Sequence, residues 1–238
     1  ESLIQMGTAP DLIHSNDWQT GLIPVLLKTD YQHHSCFEAT RTLITIHNLA
    51  YQGLFDYEKL AVTGLPAEYF NWKQVEVYGK VNLLKTGIVF ADMINTVSPT
   101  YAREIREPEQ GCGLEGVLRE RSGELTGILN GIDVADWNPA IDPFIEENFS
   151  SDFDVRIGSS GKSACKRALQ KEANLKQDID MPLIGIVGRL ASQKGWSLIV
   201  PVMKEFLENT NVQWIVLGTG DPGYHHQLEN LQQRHPDK

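Results

Sequence analysis

"LIGIVGRLASQKGW", residues Leu183 to Trp196, decides the fold. Leu183 to Val187 form a short apolar run closed by Gly188, the pattern of a strand buried in a parallel sheet. From Trp196 to Glu208 the apolar residues recur at helical spacing. The join is a glycine-bounded turn carrying Arg189 and Lys194. Strand, short turn and helix in that order make half of a βαβ unit. Solvated charge is the simplest reading of two cations on a surface turn. A second reading comes from their place, between a strand end and a helix N-terminus with free N–H donors and a positive dipole end. Such a group can hold a diphosphate without a metal.

The same alternation runs outward through the chain and predicts an α/β class. Strands are expected in "DLIHSN", "TLITIHN", "MINTVS", "LTGILNG", "LIGIVG" and "VQWIVLG". Helices are expected over Trp18–Leu27, Gly79–Phe90, Thr100–Ile105, Leu114–Arg121, Lys162–Leu175, Trp196–Glu208 and Tyr224–Arg234. Between Asp133 and Gly161 the period lapses and acidic, Ser, Pro and Gly residues gather, which reads as a crossing between two α/β halves. The boundary is placed at residues 130 and 131, giving domains 1–130 and 131–238.

Composition narrows the function classes. A formal charge of −10 argues against non-specific binding to nucleic acid or an anionic membrane, since both need a positive field. An anionic ligand therefore requires a local basic pocket. Cys36, Cys112 and Cys165 are far apart and in no zinc spacing, so a reducing, cytoplasmic setting fits best. No apolar run approaches the roughly 18 residues a membrane span needs, and the first residues lack the pattern of a secretory leader. The chain begins with Glu and stops within a polar helical pattern, which reads as a fragment cut at both ends.

In open α/β sheets ligands bind at the carboxyl ends of the strands, so the residues following each strand carry the functional reading. Asp17 follows the first strand and suits an N-cap for a helix starting at Trp18. His47 is the last side chain that the second strand delivers, and a core histidine is the competing reading. Asn130 follows the fourth strand and suits a tight turn. Trp18, Tyr51, Trp72 and Tyr78 could stack on a sugar, but large aromatics more often fill a core.

Several stretches imitate other chemistry. "GSSGKSA", Gly158 to Ala164, resembles a phosphate loop, but Arg156 stands where that motif needs its first glycine, and a connector feeding a helix is the better account. "GTGDPG", Gly218 to Gly223, satisfies the spacing of a dinucleotide fingerprint, yet its strand is not the first of its unit; a turn beside a phosphate or a plain tight turn is preferred. The pairs Asp152 and Asp154, and Asp178 and Asp180, lie away from strand ends and read as loop charge. No metal and no cofactor is expected.

Taken together, "IHSNDWQTGLIP", "TIHNLAYQG", "INTVSPTYAREI", "GLEGVL", "LNGID", "WNP", "GRLASQKG" and "LGTGDP" resemble bacterial glycogen synthases and plant starch synthases. The resemblance implies a GT-B fold, two Rossmann-like domains facing a cleft, both incomplete here. It implies retaining transfer of glucose from ADP-glucose to the non-reducing end of an α-1,4-glucan. Arg189 and Lys194 would then hold the departing ADP phosphates, His47 would be the catalytic-centre contact near the glucose 6-OH, and Asp17 and Asn130 would line the sugar site. Gln19 stands where many bacterial members have His, and the family's Lys-x-Gly-Gly loop and Glu-Pro-x-Gly-Leu segment have no counterpart, so the piece alone is expected to be inactive. The alternatives weighed are a non-catalytic sugar- or nucleotide-binding remnant and another nucleotide-sugar enzyme of this fold type, such as an epimerase.

Overall fold

The computed structural model describes residues 2–149 and 160–238. The chain divides into two compact units, one ending at Gly131 and the other starting at Ile132. In the first, four parallel strands form a sheet of order β1-β2-β6-β7: β1 (Leu12–Asn16), β2 (Arg41–Ile46), β6 (Met93–Thr96) and β7 (Leu125–Gly127). Helix α1 (Ser2–Gln5) precedes β1, and α2 (Leu22–Lys28) crosses from β1 toward β2. Between β2 and β6 lie three very short strands, β3 (Leu54–Asp56), β4 (Glu76–Val77) and β5 (Lys80–Asn82), paired antiparallel in the order β3-β5-β4, with α3 (Leu60–Thr63) among them. Helix α4 (Leu83–Phe90) leads into β6, and α5 (Pro99–Glu104) and α6 (Glu115–Glu120) separate β6 from β7.

The second unit holds α7 (Ser160–Glu172), β8 (Leu183–Val187), α8 (Trp196–Asn209), β9 (Gln213–Leu217) and α9 (Pro222–Arg234), with β8 and β9 parallel. Its apolar cluster is built by Leu190, Trp196, Val200, Met203, Leu207 and Leu231. The first unit's main cluster joins Ile44 and Ile46 of β2 to Leu84 and Ile88 of α4. No described helix is long and apolar enough to cross a membrane.

Two expected helices differ from their sequence reading, each for a local reason. The pattern over Gly79–Phe90 is strand for Lys80–Asn82 and helix only from Leu83. Asn82 breaks it: its backbone stays extended, its side chain accepts the Lys85 N–H at 2.8 Å, and its amide donates to Gln52 at 2.6 Å. The expected Trp18–Leu27 helix is a single 3-10 turn, Trp18–Thr20, followed by α2. Asp17 does not cap it; its carboxylate is committed elsewhere.

Three of the four aromatics assigned to a core are exposed: Tyr51 by 50%, Trp72 by 72% and Tyr78 by 87%. Trp18 alone packs against the main cluster. The loop carrying Trp72 is held instead by its backbone, because the buried Lys85 ammonium donates to the carbonyls of Trp72 and Glu76. Burial lowers the Lys85 pKa, partly countered by the Glu76 charge.

Helix α4 sits against β2 and α2 at a distance only glycine permits. A side chain at Gly21 would collide with the carbonyl oxygen of Leu83, and one at Gly87 would meet Ile44 and, at 3.1 Å, the Gly21 Cα. The far end of α4 is capped by Arg121, whose guanidinium donates to the carbonyls of Ile88 at 2.6 Å, Val89 at 3.0 Å and Ala91 at 2.9 Å. Asp92 then ties β2 to the start of β6, accepting the Thr42 N–H at 2.7 Å, the Thr42 hydroxyl at 2.9 Å and the Lys28 ammonium at 3.1 Å.

Gly21→Ala is expected to destabilise the fold by about 3 kcal/mol or more, since the obstructing atom is backbone and cannot rotate away; urea unfolding measures it. Asp92 supplies a pH-dependent term. Burial works upward on its carboxyl, but the hydrogen bonds from Thr42 and Lys28 outweigh it and hold the pKa below the usual aspartate value. A depressed folded pKa means the stabilisation is complete above roughly pH 4 and is lost as pH falls through the folded value. Asp92→Ala should therefore cost about 2–3 kcal/mol at neutral pH, and the gap from the wild type should close in unfolding curves taken at progressively lower pH.

Candidate functional site

The first unit presents its polar groups at the carboxyl ends of β1 and β2. Thr20 turns the chain after β1: its hydroxyl accepts the Asn16 N–H at 2.6 Å and donates to the Asn16 carbonyl at 2.8 Å. Asp17 follows with φ 53° and ψ −169°, a region otherwise left to glycine. It is held there because its N–H donates to the Thr45 carbonyl at 2.9 Å and its Oδ1 accepts the His47 N–H at 2.8 Å. The His47 ring is exposed, and its Nε2 lies 2.9 Å from Asn16 Oδ1. Asp17 and His47 are thus brought together, and the core-histidine reading fails.

Tyr101 stands behind this pair. Ser98 caps α5 by accepting the N–H groups of Thr100 and Tyr101, which aims the Tyr101 hydroxyl at the Leu49 N–H, accepted at 3.1 Å. Burial raises the Tyr101 pKa above the ordinary value, so the hydroxyl stays protonated and neutral. Asn130 lies beyond β7, exposed, with no side-chain hydrogen bond to a described residue. No hydrogen bond joins it to Asp17 or His47.

The second unit gathers cations and N–H groups in the same way. Pairing continues past both strands: Gly188 N–H to Leu217 O at 3.0 Å, Leu190 N–H to Thr219 O at 2.9 Å and Asp221 N–H to Leu190 O at 2.7 Å. Side chains at Gly218 or Gly220 would collide with the Gly188 and Leu190 carbonyls. Trp196, 1% exposed, donates its indole N–H to the Arg189 carbonyl at 2.9 Å, so the buried start of α8 holds the backbone of the turn. Arg189 and Lys194 are both exposed, and neither forms an ion pair with a described residue. Lys194 ends a 3-10 turn, and Gly195, at φ 77°, opens α8.

Asp221 caps α9 by accepting the Gly223 N–H at 2.7 Å, with Pro222 in the first turn, so a helix does begin inside "GTGDPG". His225 on that turn accepts the Gly220 N–H at 3.3 Å, and Tyr224 faces Ser192 at 3.4 Å. Tyr101, Tyr224 and His225 lie outside the residues singled out from the sequence, and Asn16 and Ser192 fall in the polar stretches after the first and fifth strands without being chosen as site residues. Asn16 is the last residue of β1 and sits beside Asp17, whereas Ser192 lies on the turn between Arg189 and Lys194.

The decoys resolve partly. Asp178 pairs with Lys176 at 3.0 Å and accepts the Asp180 N–H at 3.1 Å, which holds its carboxyl below the usual range. Asp152, Asp154 and Arg156 lie outside the described residues. Among the described residues no group of three or more His, Cys, Asp or Glu is placed to hold a metal ion. A cavity of about 380 Å³ opens against β9, lined by Met203, Trp214, Val216 and Leu228 among others. Neither Arg189 nor Lys194 lines it, and the strand-end groups are the better candidates for chemistry.

Parallel strands whose carboxyl ends carry a histidine and a strained aspartate in the first unit, and in the second two cations with no ion pair among the described residues, define an α/β protein of the Rossmann-like kind. Residues 1–120 match the family described as the starch synthase catalytic domain, and the chain belongs to that family. It is 44% identical over its whole length to a glycogen synthase of Rhodopirellula baltica and 47% identical to one of Thermosipho africanus. It covers 46% and 48% of those proteins, so the chain spans about half the length of the curated relatives it matches. Among solved structures, the catalytic domain of starch synthase IV from Arabidopsis thaliana, bound to ADP and acarbose, matches 99% of this chain and 48% of its own, with TM-score 0.86 and 34% identity. The fold is accordingly of the GT-B type. Anabaena HepE in complex with UDP, at TM-score 0.52 and 13% identity, shares the fold alone.

Asp17 yields a test of the link between strain and site. Asp17→Gly loses a charge-assisted hydrogen bond, about 1.5–3 kcal/mol, but relieves backbone strain of about 1–3 kcal/mol. Its stability should stay within about 1 kcal/mol of the wild type, whereas Asp17→Ala, with loss and no relief, should fall by about 1.5–3 kcal/mol. In both variants the His47 amide should exchange hydrogen faster. Equal unfolding free energies for the two variants would show that Asp17 is unstrained.

Proposed function

We propose that this chain carries the donor-handling part of a retaining glucosyltransferase, transferring glucose from ADP-glucose to the non-reducing end of an α-1,4-glucan, as glycogen and starch synthases do. One observation carries the reading most: two unpaired cations, Arg189 and Lys194, on a turn whose backbone is fixed by Trp196 and by pairing with the β9 loop. In a chain of net charge −10 this is where a diphosphate is welcome. The Arabidopsis relative, bound to ADP and acarbose, supports both ligand classes. On this reading residues 1–130 belong to the first Rossmann-like domain, and 131–238 are a linker and the start of the nucleotide-sugar domain.

The chemistry follows from charge. Departure of ADP builds negative charge on the diphosphate and positive charge on an oxocarbenium-like sugar. Cations already in place stabilise the first without reorganising at the moment of reaction. Arg189 and Lys194 take that role, His47 contacts the donor glucose, and Asp17 and Asn130 serve the sugar site. Asp17 acts through His47, whose backbone it holds.

Calorimetry with ADP tests the cation pair. Arg189→Ala and Lys194→Ala should each weaken binding by about 1.5–3 kcal/mol, the worth of a hydrogen bond to a charged group; unchanged affinity in both returns them to solvated charge. In a chain completed at both ends, His47→Ala should lower kcat more than it raises KM, because its contact matters most in the transition state. A change confined to KM would make it a ground-state contact.

A further inference from the structure

We infer that Asn16 is a positioning residue that fixes the His47 ring in one tautomer, making it a hydrogen-bond acceptor that selects a hydroxyl group of its ligand. The inference rests on the reading of His47 as a sugar contact. The geometry is specific. The His47 ring makes one hydrogen bond to the described residues, between Nε2 and Asn16 Oδ1 at 2.9 Å. Other polar groups nearby are occupied. The Asp17 carboxylate takes the His47 backbone N–H at 2.8 Å, and the Asn48 side-chain Oδ1 takes the Ala50 N–H at 3.0 Å. Tyr101 is turned to the Leu49 N–H.

An amide oxygen only accepts, so the hydrogen of this bond belongs to Nε2. A neutral imidazole has a single N–H, and Nδ1 is left with a lone pair and no proton. Nδ1 can accept from an O–H but offers nothing to a phosphate or carboxylate oxygen. The ring therefore favours a sugar hydroxyl over an anionic group. Asn16 itself is held on its backbone by the Thr20 hydroxyl on both its N–H and its carbonyl, which leaves the side chain free for this task.

The test is 15N NMR of histidine-labelled protein without ligand, at a pH where the rings are neutral, with His47 assigned through His47→Gln. The wild type should show a protonated Nε2 and an unprotonated Nδ1. Asn16→Ala should shift the ring to a mixture of tautomers, and Asn16→Asp, which keeps the acceptor, should retain the wild-type form. Thermal unfolding of the variants checks that they fold. A wild-type ring carrying its proton on Nδ1, or an unchanged tautomer in a folded Asn16→Ala protein, would overturn the inference. A merely structural Asn16 would alter stability and leave the tautomer alone. In turnover by a chain completed at both ends, Asn16→Ala should lose roughly tenfold in kcat, about the effect of one lost hydrogen bond, with ADP affinity unchanged. Because the tautomer is read without substrate, failure of the glucosyltransfer reading would leave the NMR outcome standing, and the reverse also holds.

Discussion

The first unit depends on the close approach of backbone to backbone where Gly21 meets α4. With no side chain between them, the start of α2 lies against the Leu83 carbonyl and close to Gly87. That contact sets the height of α4 over β2, which in turn buries Ile44, Leu84 and Ile88 together. It also fixes where the chain leaves β1, five residues before Gly21, and so places Asp17 beside the end of β2. Capping at both ends of α4, by Asn82 and by Arg121, then makes the helix a rigid reference for the elements around it.

In the first unit a strained residue ties two strand ends and holds the backbone of an exposed histidine. In the second, loops after both strands remain zipped by backbone bonds while two cations stand clear of partners. On the proposed reading the first unit would offer neutral, directional contacts suited to a sugar, and the second fixed positive charge suited to a diphosphate. The division follows from elementary electrostatics. A hydroxyl is recognised by the direction of lone pairs and protons, and a phosphate chiefly by charge.

Much of this was legible in the sequence, and the misses have physical causes. β8 and β9 could be read because each is a nearly unbroken apolar run closed by a glycine, and β1, β2 and β6 because a short stretch with apolar and β-branched residues ends in each case at a turn residue. β3, β4 and β5 could not, since strands of two or three residues hold no period. Asn82 hid a strand inside a helical pattern because capping depends on a backbone angle that composition does not reveal. Asp17 was misread for a related reason: residue types that cap helices are those that accept any nearby N–H, and the nearest one came from His47 across the sheet. Arg189, Lys194 and His47 stood out since strand ends locate ligands whatever their identity. The partner of the His47 ring was invisible, because Asn16 and His47 are 31 residues apart and meet only through strand register.

The zipped loops of the second unit carry a consequence for the thermodynamics of capture. A ligand that must order a flexible loop spends part of its interaction energy on that ordering. Here Leu190, Gly220 and Asp221 are already paired and the Arg189 carbonyl is already clasped by Trp196. What remains to be frozen is two long side chains, roughly 0.5–1.5 kcal/mol apiece. Were a diphosphate captured there, the entropy lost by the protein, apart from the freedom that any association costs, would be confined to rotamers.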